Sequence, residues 1–93
     1  MKLGVRLTTK FKKDAERMKK RGKDLEKLYE VVEKLANLEP LDSRYKDHFL
    51  VGNYADCREC HLSPDWLLVY RIENSELILV LLRTGTHSDL FNK

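Results

Sequence analysis

The sequence has few of the features that mark several large classes of protein. Its 93 residues include only two prolines and four glycines, which leaves no room for a long flexible linker between domains. The longest aliphatic run, Leu77–Leu82, has six residues, whereas a membrane-spanning helix needs about 20. The N-terminal segment has no apolar run and no cleavage site of a secretory signal. We therefore expect a single soluble domain, residues 1–93, that works in the cytosol.

Cysteine is equally scarce. The sequence contains only Cys57 and Cys60, and His61 directly follows the second of them. The string Cys-x-x-Cys-His matches the attachment pattern of c-type haem and half of a zinc site. Haem attachment requires export, for which no signal is visible, and structural zinc requires four ligands, for which no second cysteine pair exists. Residues three apart on a strand point to opposite faces of the sheet. We therefore expect two reduced, partly buried thiols.

The positive charge is concentrated in the first third of the chain. The net charge is only +3, but residues 1–34 contain 12 of the 18 Lys and Arg residues and 6 of the 15 Asp and Glu residues. Such a cluster is typical of proteins that approach polyphosphate, and equally of a solvated helix face. The candidates for contact with a polyphosphate are Lys10, Lys12, Lys13, Arg17, Lys19 and Lys20.

Apolar periodicity in the first half predicts a strand followed by a helical hairpin. Leu3–Thr8 alternates apolar and polar residues, as a half-buried strand does. Thr9 is placed to cap a first helix that ends before Gly22. Asp24 is placed to cap a second helix, which Pro40 ends. The apolar stripe of this second helix is Leu25, Leu28, Tyr29, Val32, Leu35 and Ala36.

The second half predicts three strands joined by short turns, which makes the domain α+β with an antiparallel meander. The strands are Cys57–Leu62, Trp66–Ile72 and Leu77–Leu82. The last strand is apolar at every position, so we expect it to be central and at least partly covered on both faces. The helices then pack on one face of the sheet, and the other face is left to water or to a ligand.

Five residues that could carry chemistry lie near the expected strand ends and loops. They are the three histidines, His48, His61 and His87, together with Asp65 and Arg83. Each one alone is typical of a surface or turn residue, but an antiparallel meander can bring these ends to one side of the sheet. Imidazole titrates near neutrality, so two of them can act as general base and general acid in one turnover. A guanidinium matches the oxygens of a phosphate.

This combination suits the cleavage of RNA without a metal ion. The 2′-hydroxyl is the nucleophile, and cleavage needs a base for its proton, an acid for the 5′-oxygen and a cation for the phosphorane charge. A three-histidine zinc hydrolase competes, but the sequence has no closely spaced histidine pair that would preorganise such a site. A basic binding module without catalysis is the second alternative. Unpaired bases could stack on Phe91, Trp66 or Tyr54. A Trp at a strand start more often packs in or beside the core, however, and Tyr54 also fits an ordinary surface position near a turn.

A series of short motifs resembles the YafQ branch of the RelE-type toxins, which are the toxin halves of bacterial type II toxin–antitoxin pairs. From residue 45 onward the likeness extends to residues and spacing, whereas the helical hairpin matches only in pattern. The motifs are Tyr45-Lys46-Asp47-His48, Arg58-Glu59-Cys60-His61, Pro64-Asp65-Trp66, Leu68-Val69-Tyr70, Arg83-Thr84-Gly85-Thr86-His87 and Leu90-Phe91.

The resemblance implies a RelE-like fold and a metal-independent endoribonuclease that needs no cofactor. Such toxins cut messenger RNA, typically on the translating 70S ribosome, and a cognate antitoxin blocks their site. The basic face would then meet ribosomal RNA. The family's functional positions fall on His48, His61, Asp65, Arg83, His87 and the C-terminal aromatic Phe91.

In this scheme His87 is the general acid, and Arg83 binds the phosphate. Either His48 or His61 is the general base, with Asp65 assisting it. The chain departs from the family pattern in three ways: Glu59 stands where Asp is frequent, Phe49 stands where Pro is common, and Asn92 and Lys93 extend past the C-terminal aromatic. None of these departures removes a proposed catalytic group.

Overall fold

A five-stranded sheet forms the centre of the computed structural model, which describes residues 2–50 and 56–91. The strands are β1 (Gly4–Leu7), β2 (His48–Phe49), β3 (Arg58–Ser63), β4 (Trp66–Glu73) and β5 (Ile78–Gly85). Their spatial order is β1-β5-β4-β3-β2. The helices are α1 (Thr9–Lys20), α2 (Leu25–Ala36) and α3 (His87–Phe91). Only β1 pairs in parallel, along β5, and the other described strand pairs are antiparallel. The predicted α+β class is thus confirmed.

Local capping interactions define the helical hairpin. The hydroxyl of Thr8, and not of the predicted Thr9, accepts a hydrogen bond from the backbone of Phe11 at 3.0 Å and caps α1. Gly22 follows α1 at φ +86°, as predicted for the residue after the last turn. Asp24 caps α2 as predicted. The second helix ends at Ala36, ahead of Pro40, because the next residues form a left-handed turn that closes the helix.

The main core lies between the two helices and one face of the sheet. Met18, Leu28, Trp66 and Leu68 are among its fully enclosed side chains. The predicted stripe of α2 is wrong at Tyr29, which is 55% exposed. The buried positions of α2 are Leu28, Val31, Leu35 and Ala36, since a spacing of three and four residues selects one face of a helix.

The ends of the sheet differ from the prediction. Strand β1 forms, but Val5 and Leu7 remain 46% and 42% exposed, because an edge strand lies beyond the helices that cover the interior strands. Strand β5 is interior, between β1 and β4, whereas β4 occupies the centre of the sheet. Residues 87–91 form α3, although no helix or strand was predicted between residues 84 and 93.

Helix α3 covers part of the second face of the sheet. The prediction that this whole face is left to water or to a ligand was therefore wrong. Leu90 of α3 packs there with Leu67 and Val69, and Phe91 lies against the same cluster. The two cysteines confirm the expected opposite orientation, since Cys57 joins this cluster and Cys60 joins the main core. Both are buried and free of disulfide bonds, and burial raises the pKa of the Cys60 thiol to about 12.

Two further expectations concern aromatic residues and membranes. Stacking of a base on Trp66 is excluded, because its ring is buried and its indole N–H donates to the Thr84 hydroxyl at 2.9 Å. Tyr54 lies outside the described residues.

Within residues 2–50 and 56–91, no helix is both long and apolar enough to cross a bilayer.

Candidate active site

The pairing register brings distant residues into one row across the second face of the sheet. His48 on β2 is opposite Glu59 on β3, Glu59 is opposite Val69 on β4, and Val69 is opposite Arg83 on β5. Directly opposed residues share a face, and Val69 belongs to the second-face cluster. Because neighbouring strands are about 4.8 Å apart, the backbone of Arg83 lies about two strand spacings from the backbone of Glu59.

A bulge on β5 keeps Arg83 in this row. Val69 pairs with Arg83 but Tyr70 pairs with Leu81, so Leu82 is an extra residue on β5. The extra residue resets the alternation of side chains. Leu81 and Thr84 both face the main core, where Thr84 bonds to Trp66, and Leu82 packs in the second-face cluster.

The three histidine rings lie side by side at one end of this face. The ring centroids of His48 and His61 are 6.2 Å apart, and those of His61 and His87 are 5.8 Å apart. The ring of Phe91 continues the line, 6.5 Å from His87. The register therefore gathers the predicted histidines from β2, β3 and α3, although 39 positions separate the first from the last.

Glu59 lies among these rings and was undervalued by sequence reasoning, which noted it only as a departure from a family pattern. Its side chain is 7% exposed, with Oε2 at 3.0 Å from Nε2 of His48 and 3.9 Å from Nε2 of His61. Among the described residues, no group hydrogen-bonds its buried Oε1. An acid two positions before a histidine on an otherwise buried strand was the available signal, because such residues share a face.

The contacts of His48 fix where its protons lie. Nδ1 is 2.6 Å from the carbonyl oxygen of Lys46, and a carbonyl can only accept, so Nδ1 carries a proton. Nε2 faces the Glu59 carboxylate at 3.0 Å. Both ring nitrogens of His48 are therefore turned towards oxygen atoms of the protein.

A hydrogen-bond network anchors the loop that presents His48. Asp47 accepts from the Tyr70 hydroxyl at 2.6 Å and from Nε of Arg58 at 3.1 Å. Lys46 adopts a left-handed conformation, with φ at 48°, after the short 3₁₀ turn Ser43–Tyr45. This turn reverses the chain and leads it into β2. The placement of His48 thus depends on residues of β3 and β4.

His61 is the most enclosed of the three rings. Burial lowers its pKa; Glu59 opposes this shift, whereas the neighbouring His87 adds to it. The imidazole of His61 is therefore neutral near pH 7, which is the form that can accept a proton.

Asp65 orients His87. Its Oδ1 accepts from Nδ1 of His87 at 2.7 Å and from the backbone N–H of His87 at 3.1 Å. These two hydrogen bonds lower the pKa of Asp65. The sequence-based scheme placed Asp65 beside the base, whereas the structure places it on the residue expected to be the acid. Nε2 of His87 is left as the nitrogen that can exchange a proton with a substrate.

Helix α3, which carries His87, is attached to α1 by an ion pair. Asp89 accepts from the backbone of Thr86 at 3.0 Å and caps the short helix, and Arg21 donates to both oxygens of Asp89 at 2.7 and 3.2 Å. Gly85 lets Asp89 pack closely against the backbone at the end of β5, since a Cβ at position 85 would lie only 3.0 Å from the Cβ of Asp89.

Replacement of Asp89 by Asn should weaken the fold in a pH-dependent way. The hydrogen bonds from Arg21 hold the pKa of Asp89 well below its ordinary value. The folded state therefore binds this proton less readily than the unfolded state, so the carboxylate contributes stability above about pH 4, which is lost as the pH falls through the folded-state pKa. We expect Asp89→Asn to lower the melting temperature between pH 5 and 7, with the difference from wild type shrinking below pH 4.

The matched control for this prediction is Glu16→Gln, which removes the same charge from an exposed position of α1. Thermal unfolding followed by circular dichroism from pH 3 to 7 measures both variants. A difference between wild type and Asp89→Asn that stays constant over this range would contradict the assigned role of the ion pair.

The predicted basic residues are on α1. All five of its lysines are exposed, as a contact with nucleic acid requires. Arg17 is also exposed, but its Nη1 lies 3.8 Å from Asp14 and 3.7 Å from Asp89. Arg17 thus also takes part in the charge network that joins α1 to α3. The five lysines are Lys10, Lys12, Lys13, Lys19 and Lys20.

Residues 2–50 and 56–91 contain no group of three or more His, Cys, Asp and Glu side chains arranged to hold a metal ion. Fold and site together define a small RelE-like domain whose sheet carries imidazoles paired with carboxylates. The arrangement has the parts of an acid–base site.

Comparison with known proteins identifies the family. Residues 3–92 match the family model described as the bacterial toxin of the type II toxin–antitoxin system, YafQ, and the chain belongs to this family. The mRNA interferase toxin YafQ of Escherichia coli K12 is 38% identical over 88 residues, which are 94% of each chain. The resemblance expected from the motifs is confirmed.

Solved structures agree with this assignment. A metal-bound toxin from Helicobacter pylori is 50% identical, with a TM-score of 0.91 over 96% of this chain and 99% of that one. A chain of the E. coli DinJ–YafQ toxin–antitoxin complex is 36% identical, with a TM-score of 0.87 over 98% of this chain and 99% of that one. The predicted RelE-like fold is therefore confirmed at the level of solved relatives.

Proposed function

We propose that this toxin is a metal-independent endoribonuclease that cuts messenger RNA on the translating ribosome in the cytosol. The observation that carries the proposal is the convergence of His48, His61 and His87 with Glu59 and Asp65 on one face of the sheet. The name of the E. coli relative, an mRNA interferase toxin, supports the same substrate.

His61 is the general base in this mechanism. Its lowered pKa keeps the ring neutral at physiological pH, so it can take the proton of the 2′-hydroxyl. His48 suits this task less well, because both of its ring nitrogens already face acceptors. These two contacts instead hold the His48 ring beside His61, 6.2 Å between centroids.

His87 is the general acid. Asp65 accepts from Nδ1 and fixes the orientation of the ring, so Nε2 is the nitrogen that delivers a proton to the leaving oxygen. The 2′-oxygen forms a bond to phosphorus as the bond from phosphorus to the 5′-oxygen breaks. The products are a 2′,3′-cyclic phosphate and a 5′-hydroxyl, with one proton taken up by His61 and one released by His87.

The remaining predicted residues bind the substrate. Arg83 stabilises the charge that develops on the phosphate oxygens. Phe91, one ring beyond His87, stacks on an unpaired base. The exposed lysines of α1 contact ribosomal RNA, where a dense phosphate backbone attracts them.

A cognate antitoxin is the proposed protein partner. The E. coli relative was crystallised in a complex of toxin and antitoxin with DinJ. By analogy, the antitoxin of this toxin covers the histidine cluster, and so prevents the entry of messenger RNA.

An assay in a translating extract tests the proposal. The wild-type protein, stripped of metal by a chelator and dialysed, should cut a reporter message, whereas the His48, His61 and His87 triple alanine variant should not. Message that stays intact with the wild-type protein would favour a binding module without catalysis. Stoichiometric zinc in the purified protein, together with loss of cleavage after chelation, would favour a zinc hydrolase.

A further inference from the structure

A buried carboxylate on α1 contacts the arginine of the candidate site. Asp14 is 2% exposed, and neither its sequence context nor the motif resemblance singled it out. Its Oδ2 accepts from Nε of Arg83 at 2.6 Å, and its Oδ1 accepts from Nη2 of the same side chain at 3.1 Å. Oδ2 also accepts from the backbone N–H of Thr84 at 3.2 Å.

The geometry of this contact fixes the plane of the guanidinium. Two parallel N–H···O bonds along one edge define both the direction and the rotation of an arginine head. The donors on the remaining edges of Arg83 therefore point away from Asp14. The carboxylate itself is held to the β5 backbone through Thr84, so the whole arrangement is tied to the strand that carries Arg83.

Placement of Arg83 connects this contact with catalysis. Arg83 lies in the cross-strand row that contains Glu59 and His48. A free arginine side chain samples many rotamers, and an oxyanion-stabilising group is effective only when it is already oriented before reaction. A buried carboxylate that binds one edge of the guanidinium fixes the direction of the remaining N–H groups. It thereby reduces the number of rotamers that Arg83 samples.

We propose that Asp14 is a positioning residue, which orients the guanidinium of Arg83 towards the phosphate that the toxin cleaves. The inference rests on the proposed RNA cleavage. It differs from a purely structural role, in which Asp14 only anchors α1 to β5 through Thr84. In that case the identity of residue 83 would not influence the effect of changing residue 14.

A double-mutant cycle separates these two roles. The variants are Asp14→Asn, Arg83→Gln and their combination, with Glu16→Gln as a control that removes one exposed charge from the same helix. We expect Asp14→Asn to lower kcat of message cleavage by about 10- to 100-fold, with KM changed by less than about threefold. In the Arg83→Gln background, the same substitution should change kcat by less than about twofold.

A readout that is independent of activity accompanies the cycle. The ¹⁵N signal of the Arg83 Nε–H group should be sharp and slow to exchange in the wild-type toxin, and should shift and broaden in Asp14→Asn but not in Glu16→Gln. If Asp14→Asn proves unfolded, Asp14→Glu serves instead, because its longer carboxylate keeps the charge but displaces the guanidinium.

Several outcomes would overturn the inference. The first is a wild-type kcat in the folded Asp14 variant. The second is that the Asp14 substitution lowers kcat by the same factor in the wild-type and the Arg83→Gln backgrounds, which would assign Asp14 to the fold alone. An unchanged Nε–H signal would also contradict it. Failure of the wild-type toxin to cut any message would refute the proposed function, but the spectrum would still report whether Asp14 orients Arg83.

Discussion

The His87→Ala variant is expected to cut messenger RNA about 100- to 10,000-fold more slowly than the wild-type toxin, because this is the usual contribution of a general acid. Without Nε2 of His87, the 5′-oxygen must leave as an alkoxide or take its proton from water. Asp65, which holds Nδ1 of the ring at 2.7 Å, cannot replace it, since its lowered pKa keeps it ionised. Induction of the variant in growing cells should therefore no longer arrest growth.

A matched variant separates the loss of the acid from the loss of local structure. In His87→Asn, the side-chain amide can still donate to Asp65 as Nδ1 does, but no group titrates at the position of Nε2. We expect this variant to keep the melting temperature of the wild type and its binding to the antitoxin, yet to be as inactive as His87→Ala. Cleavage at the wild-type rate by either variant would show that another residue protonates the leaving group.

The parts of the fold that were predicted correctly are those with a local signal. Asp24 and Gly22 mark helix ends because capping and left-handed turns depend on the residues themselves. The three long strands follow from apolar runs bounded by turn residues. The exposure of Tyr29 shows the limit of such patterns, because one position of helix rotation decides which side of a wide stripe is buried.

The parts that were missed depend on contacts between distant segments. Strand β2 has two residues and exists through its pairing with β3. Helix α3 has five residues and is held by the contact of Asp89 with Arg21, 68 positions away. Isolated segments this short have no stable structure of their own. Their sequence therefore carries little indication of it.

The candidate site divides in the same way. The convergence of the three histidines was predictable, because they are chemically distinctive and lie near strand ends. Asp14 was not, because it is 69 positions from Arg83 and acidic residues are common on helix surfaces. Trp66 was considered as a base platform, but a Trp at a strand start usually packs in or beside the core, and Trp66 does so here. Only the structure shows its indole donating to Thr84.

The nucleophile offers the sharpest test of the whole account. In the proposed mechanism His61 is the base, His87 is the acid and Arg83 is the cation, and no serine, cysteine or metal-activated water is assigned to attack phosphorus. The attacking group must therefore come from the RNA, and the 2′-hydroxyl next to the scissile phosphate is the only candidate in this mechanism. Removing this single oxygen should abolish cleavage at that position, whereas ribosome binding and base stacking should be retained.

The decisive measurement uses a message that carries one 2′-deoxynucleotide at the mapped cut site, with a second message deoxygenated one nucleotide downstream as its control. We expect no cleavage of the first message and normal cleavage of the second, with a 2′,3′-cyclic phosphate on the upstream product. Equal cleavage of both messages would contradict the proposed mechanism, because the three imidazoles would then have to activate water instead of the substrate's own hydroxyl.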